Sequence, residues 1–145
     1  MTKQKAYIFD IDGTLANHYD RVEKYLMECK NHDKFYEHCD EDTPICDVCG
    51  VYRELRLPVI CITARPERIR DKTEKWLKDN DLPFLSLFMR KNHDYRQDYI
   101  FKKEVYEKHI KDKFEIVGVF EDRDQCVAMW RSLGLTCFQV SDGGY

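Results

Sequence analysis

Four short runs, Ala6–Phe9, Pro58–Ile62, Ile116–Phe120 and Thr136–Val140, are apolar almost without interruption. A strand with one wet face alternates apolar and polar residues, whereas a strand covered on both faces need not. These runs therefore predict buried parallel strands covered on both faces, with Phe84–Met89 as a fifth. Helical spacing fills the gaps. Pro66–Asn80 carries Ile69, Thr73, Trp76 and Leu77, and begins with a proline at a first turn, where no N–H is needed. Asp98–His109 places Phe101, Val105 and Tyr106 on one side. Asp124–Leu133 turns Cys126, Val127, Trp130 and Leu133 inward and ends at Gly134. Strand–helix alternation implies a three-layer, Rossmann-type α/β fold with right-handed crossovers. Such sheets bind ligands beyond the carboxyl ends of their strands. Asp10, Thr63 and Glu121–Asp122 all fall at such ends.

One segment breaks the alternation. About residues 17–55 form an insertion after the first strand, expected as a helix over Asp20–Lys30, an acidic loop "HCDEDTPIC" and a helix near Pro44–Leu55. Between Glu28 and Glu54 eight acids stand against three bases. With no repeat or linker, the chain reads as one domain over 1–145, with the insertion as a small helical cap. The net charge of −3 argues against a broad, sequence-neutral grip on nucleic acid. A few arginines could still hold a polynucleotide end. No run approaches the roughly twenty apolar residues of a membrane span. The N-terminus leads straight into the first strand without an apolar leader, and the seven cysteines are odd in number. Reduced thiols in the cytoplasm are the expectation. None of the six glycines opens a G-x4-G-K-[ST] phosphate loop, so an ATP-dependent kinase is excluded for this chain.

The chemistry concentrates in "YIFDIDGTLA". Two carboxylates two residues apart, leaving a buried strand, can take separate jobs. Asp10, ionised at neutral pH, is a competent nucleophile toward phosphorus. Asp12, if its neighbours raise its pKa, can protonate a leaving oxygen. Gly13 allows close approach of backbone and phosphate. Acids repel phosphate, so cations are required. Oxygen donors suit Mg²⁺, and Asp122 is a natural further ligand. Thr63 offers a hydroxyl, and Lys102 can neutralise a phosphoryl oxygen. Asp98, four residues before Lys102, is spaced to hold its ammonium.

"DIDGTL", Thr63, Lys102 and "EDRD" resemble the four motifs of the haloacid dehalogenase (HAD) superfamily of aspartyl phosphatases, in that order. Within it, "CDED", "ITARPE", "RQDYIFKKEVYEKHI" and "EDRDQCVAMWRSLGLTCFQV" are similar to the 3′-phosphatase domain of phage polynucleotide kinase-phosphatases. The similarity is weakest over Asn17–Glu37. The resemblance implies Asp10 as nucleophile and Asp12 as general acid and then base. It implies Mg²⁺ held by Asp10, the backbone carbonyl of Asp12 and Asp122, and a phosphate gripped by Thr63 and Lys102. It adds Arg21, Arg65, Asp98 and Glu121 as substrate-binding or otherwise functional residues. Glu121 replaces an aspartate of the phage domain, and Thr63 a serine. The implied substrates are 3′-phosphorylated DNA or RNA ends, with functional coupling to a separate kinase or ligase.

Other readings stand beside this one. A HAD phosphatase for nucleotides or other small phosphomonoesters is the alternative enzyme, and a binding module that lost catalysis is opposed by the intact motif set. Cys46-x-x-Cys49, with Cys29, His32, His38 and Cys39, invites a zinc reading. The spacings are irregular, and two thiols on one helical face more often pack.

Overall fold

The computed structural model describes residues 2–144. Its centre is a five-stranded, all-parallel sheet of β1 (Gln4–Phe9), β4 (Val59–Pro66), β5 (Ser86–Arg90), β6 (Phe114–Glu121) and β7 (Cys137–Gln139), in the order β5-β4-β1-β6-β7. Alternate residues of the apolar runs point to opposite faces. Ala6, Ile8, Ile60 and Ile62 enter one apolar cluster, whereas Phe9, Val59 and Cys61 enter the other. The first is covered by α5 (Asp98–Val105) and α6 (Asp124–Ser132) through Phe101, Val105, Val127 and Trp130. The second is covered by α3 (Cys46–Glu54) and α4 (Arg70–Asp79) through Cys49, Tyr52, Trp76 and Leu77. Two covered faces explain why β1 and β4 lack alternation, and the three-layer α/β fold stands as expected. The runs of β6 and β7 are not buried throughout, because β7 is an edge strand, and Val117 and Phe138 are 39% and 48% exposed.

The chain departs from the sequence-based boundaries at three places. β4 runs on through Thr63, Ala64 and Arg65 to Pro66, with a register shift against β5 between Thr63 and Pro66. A short 3₁₀ turn, Glu67–Ile69, then leads into α4. Arg65 therefore ends a strand and does not open a helix. Such irregularities re-aim a side chain, and here Arg65 turns fully inside the protein. In the insertion, α1 (Tyr19–Arg21) passes directly into a wider π-helical stretch, Val22–Glu28. An additional helix, α2 (His32–Glu37), is capped by Asn31, whose side chain accepts from the Lys34 N–H at 3.0 Å. It is too short and polar to show a period. The strands β2 (Ala16–Asn17) and β3 (Thr43–Pro44) pair antiparallel and pin both ends of the insertion together.

Cys46 and Cys49, three residues apart on α3, differ in burial. Cys46 is exposed, while Cys49 is buried and donates to the Leu15 carbonyl at 3.4 Å. No helix among the described residues is long and apolar enough to cross a membrane.

Candidate active site

Asp10 follows β1, Thr63 lies near the end of β4, and Glu121 ends β6, so all three meet beyond the carboxyl edge of the sheet. The turn after Asp12 is tight. Gly13 has φ +83, and a Cβ there would lie 2.1 Å from Asp122 Oδ2, so only glycine lets this turn and Asp122 come together. Lys102, on α5 and 2% exposed, donates at 2.8 Å to both Asp10 Oδ1 and Glu121 Oε2. The Thr14 hydroxyl donates to the other Asp10 oxygen at 2.9 Å. Glu121 also accepts from the Asp122 N–H at 3.2 Å and the Trp130 indole at 3.4 Å. Burial and the adjacent Asp10 push the Glu121 carboxyl up to about 7, although Lys102 opposes this. Burial works against the Lys102 ammonium, but Asp10 and Glu121 outweigh it and hold the ammonium charged.

Asp12 has different company. Arg65 donates to it through Nε at 3.0 Å and NH2 at 2.7 Å, and Arg21 through NH2 at 2.8 Å. Burial alone would raise its pKa, but the two guanidiniums hold the carboxyl well below the usual range. The raised pKa expected for Asp12 is thus corrected: the two arginines reverse it. Asp42 fixes the clamp. Its carboxylate takes Arg21 Nε and NH2, each at 2.6 Å, and the Phe35 carbonyl accepts from Arg21 NH1 at 2.7 Å. Arg65 NH1 donates to the Thr73 hydroxyl at 3.2 Å. Arg21 and Arg65 are both buried and turned toward Asp12.

The expected Asp98–Lys102 pair does not form. Asp98 accepts from Arg90 at 2.8 Å and Arg123 at 2.7 Å, because Lys102 is drawn inward by two buried acids. Lys102, Arg123 and Arg90 still act together to hold the Asp98 carboxyl low against its burial. The Thr63 hydroxyl is fully buried and accepts from the Arg65 N–H at 3.2 Å.

Asp10, Asp12, Thr63, Asp98, Lys102, Glu121 and Arg123 line one pocket of about 200 Å³, roofed by His18, Val22, His32 and Tyr36 from the insertion. Asp10, Glu121 and Asp122 each offer a carboxylate oxygen, all within 4.8 Å of one another. Asp10 and Glu121 share the single Lys102 ammonium, and the hard oxygen donors of this cluster fit a divalent cation. Sequence reasoning assigned no role to Thr14, Asp42, Thr73 or Arg90. Asp42 lay within the quoted "CDED", but nothing local ties it to Arg21, 21 residues earlier.

Comparison with known proteins sharpens this picture. The family model described as the polynucleotide kinase PNKP phosphatase domain matches residues 4–145. A relative from Autographa californica nuclear polyhedrosis virus, whose name assigns it polynucleotide kinase and RNA ligase activities, is 27% identical over 142 residues. The match covers 94% of this chain but 19% of the relative. A chain in the structure of the Pnkp1/Rnl/Hen1 RNA repair complex superposes with a TM-score of 0.83 at 32% identity, covering 99% of this chain and 44% of that one. The class C acid phosphatase from Bacillus anthracis with tungstate bound shares the fold alone, with a TM-score of 0.67 at 14% identity, covering 100% of this chain and 69% of that one. The chain thus spans less than half of the first two relatives.

Proposed function

This chain belongs to the family of the polynucleotide kinase PNKP phosphatase domain, a phosphomonoester hydrolase of the HAD type, and from that premise we propose that it removes 3′-terminal phosphates from RNA or DNA ends. The observation that carries the reading is the size of the pocket. About 200 Å³ above Asp10 takes a phosphoryl group, but it is below the roughly 300–1,000 Å³ of sites that enclose whole ligands. A polymer end fits this demand, since most of the substrate stays outside.

In this reading Asp10 attacks phosphorus. The bond to the ribose 3′ oxygen breaks, an aspartyl-phosphate forms, and the leaving oxygen takes up a proton from Asp12. Water then attacks phosphorus, its proton is taken up at Asp12, and phosphate leaves with Asp10 regenerated. Lys102 and Thr63 hold the phosphoryl oxygens, and Lys102 also keeps Asp10 oriented. Asp10, Asp122 and the Asp12 carbonyl would hold Mg²⁺, which supplies charge neutralisation of the phosphoryl oxygens when bound. Glu121, already taken by Lys102, stands behind them. A carboxyl held as low as Asp12 stores no proton at neutral pH. Its acid role therefore needs at least one guanidinium contact to loosen as substrate arrives. The insertion acts as the cap, Arg21 and Arg65 position Asp12, and the Arg90–Asp98–Arg123 set stiffens the pocket wall. The kinase and ligase named in the relatives are the steps to which this activity would be coupled, in a cytoplasm that keeps the seven free thiols reduced.

The test compares kcat/KM for a 3′-phosphorylated oligonucleotide, nucleoside monophosphates and an aryl phosphate, each with Mg²⁺. The oligonucleotide is expected to lead by at least about tenfold, the discrimination of one good contact. Equal turnover of nucleoside monophosphates would make the chain a small-molecule phosphatase instead.

A further inference from the structure

Beside the phosphoryl pocket lies a second depression of about 580 Å³, and His32, Tyr36 and Ala64 line both. One wall comes from the insertion around Lys30–Tyr36. The other comes from Arg68 and from the loop Lys91–Tyr95 that follows β5. This groove is cationic in a chain whose net charge is −3. Lys30, Arg68, Arg90 and Lys91 line it against Asp33 and Asp94. Arg68 NH2 pairs with Asp33 at 3.0 Å across the groove, Arg90 with Asp98 at 2.8 Å, and Arg96 occupies the Asp94 carboxylate at 2.8 Å. Lys30 and Lys91 are thus left without a carboxylate among the described residues, and Arg68 is held at the groove by an exposed acid that a phosphate can displace. At its inner end the buried Arg90 keeps an Nε with no hydrogen-bond partner among the described residues. At its outer end Tyr95 is 86% exposed. Its hydroxyl lies 3.2 Å from His93 Nδ1, and the two rings meet at 6.4 Å and 65°. Between the two walls the Arg68 guanidinium lies 5.7 Å from the ring centroid of Tyr36, which belongs to the insertion.

A ring this exposed contributes little burial to folding, whereas its open face suits a stacking base. Cations spaced along the groove suit the phosphates between bases. We propose that this groove carries the single strand leading to the 3′-terminal phosphate, with a base stacked on Tyr95 and backbone phosphates met by Arg68 and Lys91. The proposal rests on the polynucleotide reading above and adds the direction in which the strand leaves. It also accounts for a phosphoryl pocket too small for a nucleotide, since the nucleotide lies in the groove.

The test measures kcat/KM for a nucleoside 3′-monophosphate and for 3′-phosphorylated oligonucleotides of two to six residues, with an aryl phosphate reporting on the phosphoryl site of each variant. In the wild type, kcat/KM should climb with length. In Tyr95→Ala that climb should fall by about fivefold or more, through KM, the lower end of one lost base stack. Tyr95→Phe, which keeps the ring, should retain it. Arg68→Ala and Lys91→Ala should each flatten the dependence of log kcat/KM on log salt by about 0.7. If the length gain and the salt slope survive in Tyr95→Ala and in the Arg68→Ala/Lys91→Ala double variant, the strand runs elsewhere and the groove assignment is overturned. If the wild type hydrolyses small phosphomonoesters but no 3′-phosphorylated oligonucleotide, the polynucleotide reading fails and takes the groove's occupant with it.

Discussion

Asp10 and Asp12 are separated by one residue, yet they belong to two halves of the pocket with opposite charge balance. Around Asp10, two buried acids, Asp10 and Glu121, share Lys102, all of them on the strand ends and α5. Around Asp12, two arginines meet two carboxylates, Asp12 and Asp42, and one arginine and one acid come from the insertion. In the first half burial and the neighbouring Asp10 push the Glu121 carboxyl up against Lys102, and the oxygen donors can take a divalent cation. The second half is balanced and holds Asp12 ionised. The difference teaches that the sheet holds Asp10, the nucleophile of the proposed reaction, on a rigid edge, while the charge state of Asp12, its proposed proton carrier, depends on how the insertion sits.

The comparison breaks most sharply at Asp10. Asp10→Asn should fold and still lower turnover to about a thousandth of wild type or less, because an amide cannot attack phosphorus. Steady-state kinetics with Mg²⁺ check this, and a wild-type rate in the purified variant would remove Asp10 as nucleophile. Asp12→Asn should cost about 100- to 1,000-fold in kcat with little change in KM, as expected of a proton-transfer group. The loss should shrink on aryl phosphates, whose leaving group needs little protonation. Equal losses on aryl and alkyl phosphates would remove Asp12 from the first step.

Arg21 probes the insertion directly. Arg21→Ala leaves Asp42 buried with only Arg65 at 3.6 Å, and should destabilise the protein by about 3 kcal/mol besides lowering activity about tenfold. Arg21→Lys cannot reproduce the fork across Asp42 and Asp12 and should recover only part of both. Denaturant melts and kcat read the two effects separately. A full-activity Arg21→Ala would show that Asp12 does not need the insertion.

The smallest effect is a pH slope. The Glu121 carboxyl is raised from 4.5 to about 7 on folding, so the folded state binds the extra proton between those values. Its contribution is therefore complete below about pH 4.5 and is lost as pH rises through 7, by on the order of 1–3 kcal/mol. Melting of the metal-free protein across pH 5 to 8 should show this decline, and Glu121→Gln should flatten it. Mg²⁺ should raise the melting temperature more at pH 8 than at pH 5, since it relieves the same excess charge. An identical slope in wild type and Glu121→Gln would assign it to other groups.

Much of this protein was legible in its sequence, and for a physical reason. Runs such as Ala6–Phe9 and Pro58–Ile62 must be covered on both faces, so they dictate a parallel sheet, and a parallel sheet places Asp10, Thr63 and Asp122 at one edge. The glycine after Asp12 was equally readable, because only a residue without Cβ tolerates φ +83 against Asp122. The charge pairing was decided by the tertiary structure alone. Lys102 bonds Asp10 across 92 residues, Arg65 bonds Asp12 across 53, and Arg21 bonds Asp42 across 21, so no local spacing announces them. The local rule that paired Asp98 with Lys102 failed because two buried acids compete more strongly for the ammonium than one half-buried neighbour. The elements of the insertion, β2, β3 and α2, are too short to carry a period, and they take their places from what they cover. Hydrophobic pattern is written residue by residue along the chain, whereas the pKa of a carboxylate depends on which charges the fold brings beside it.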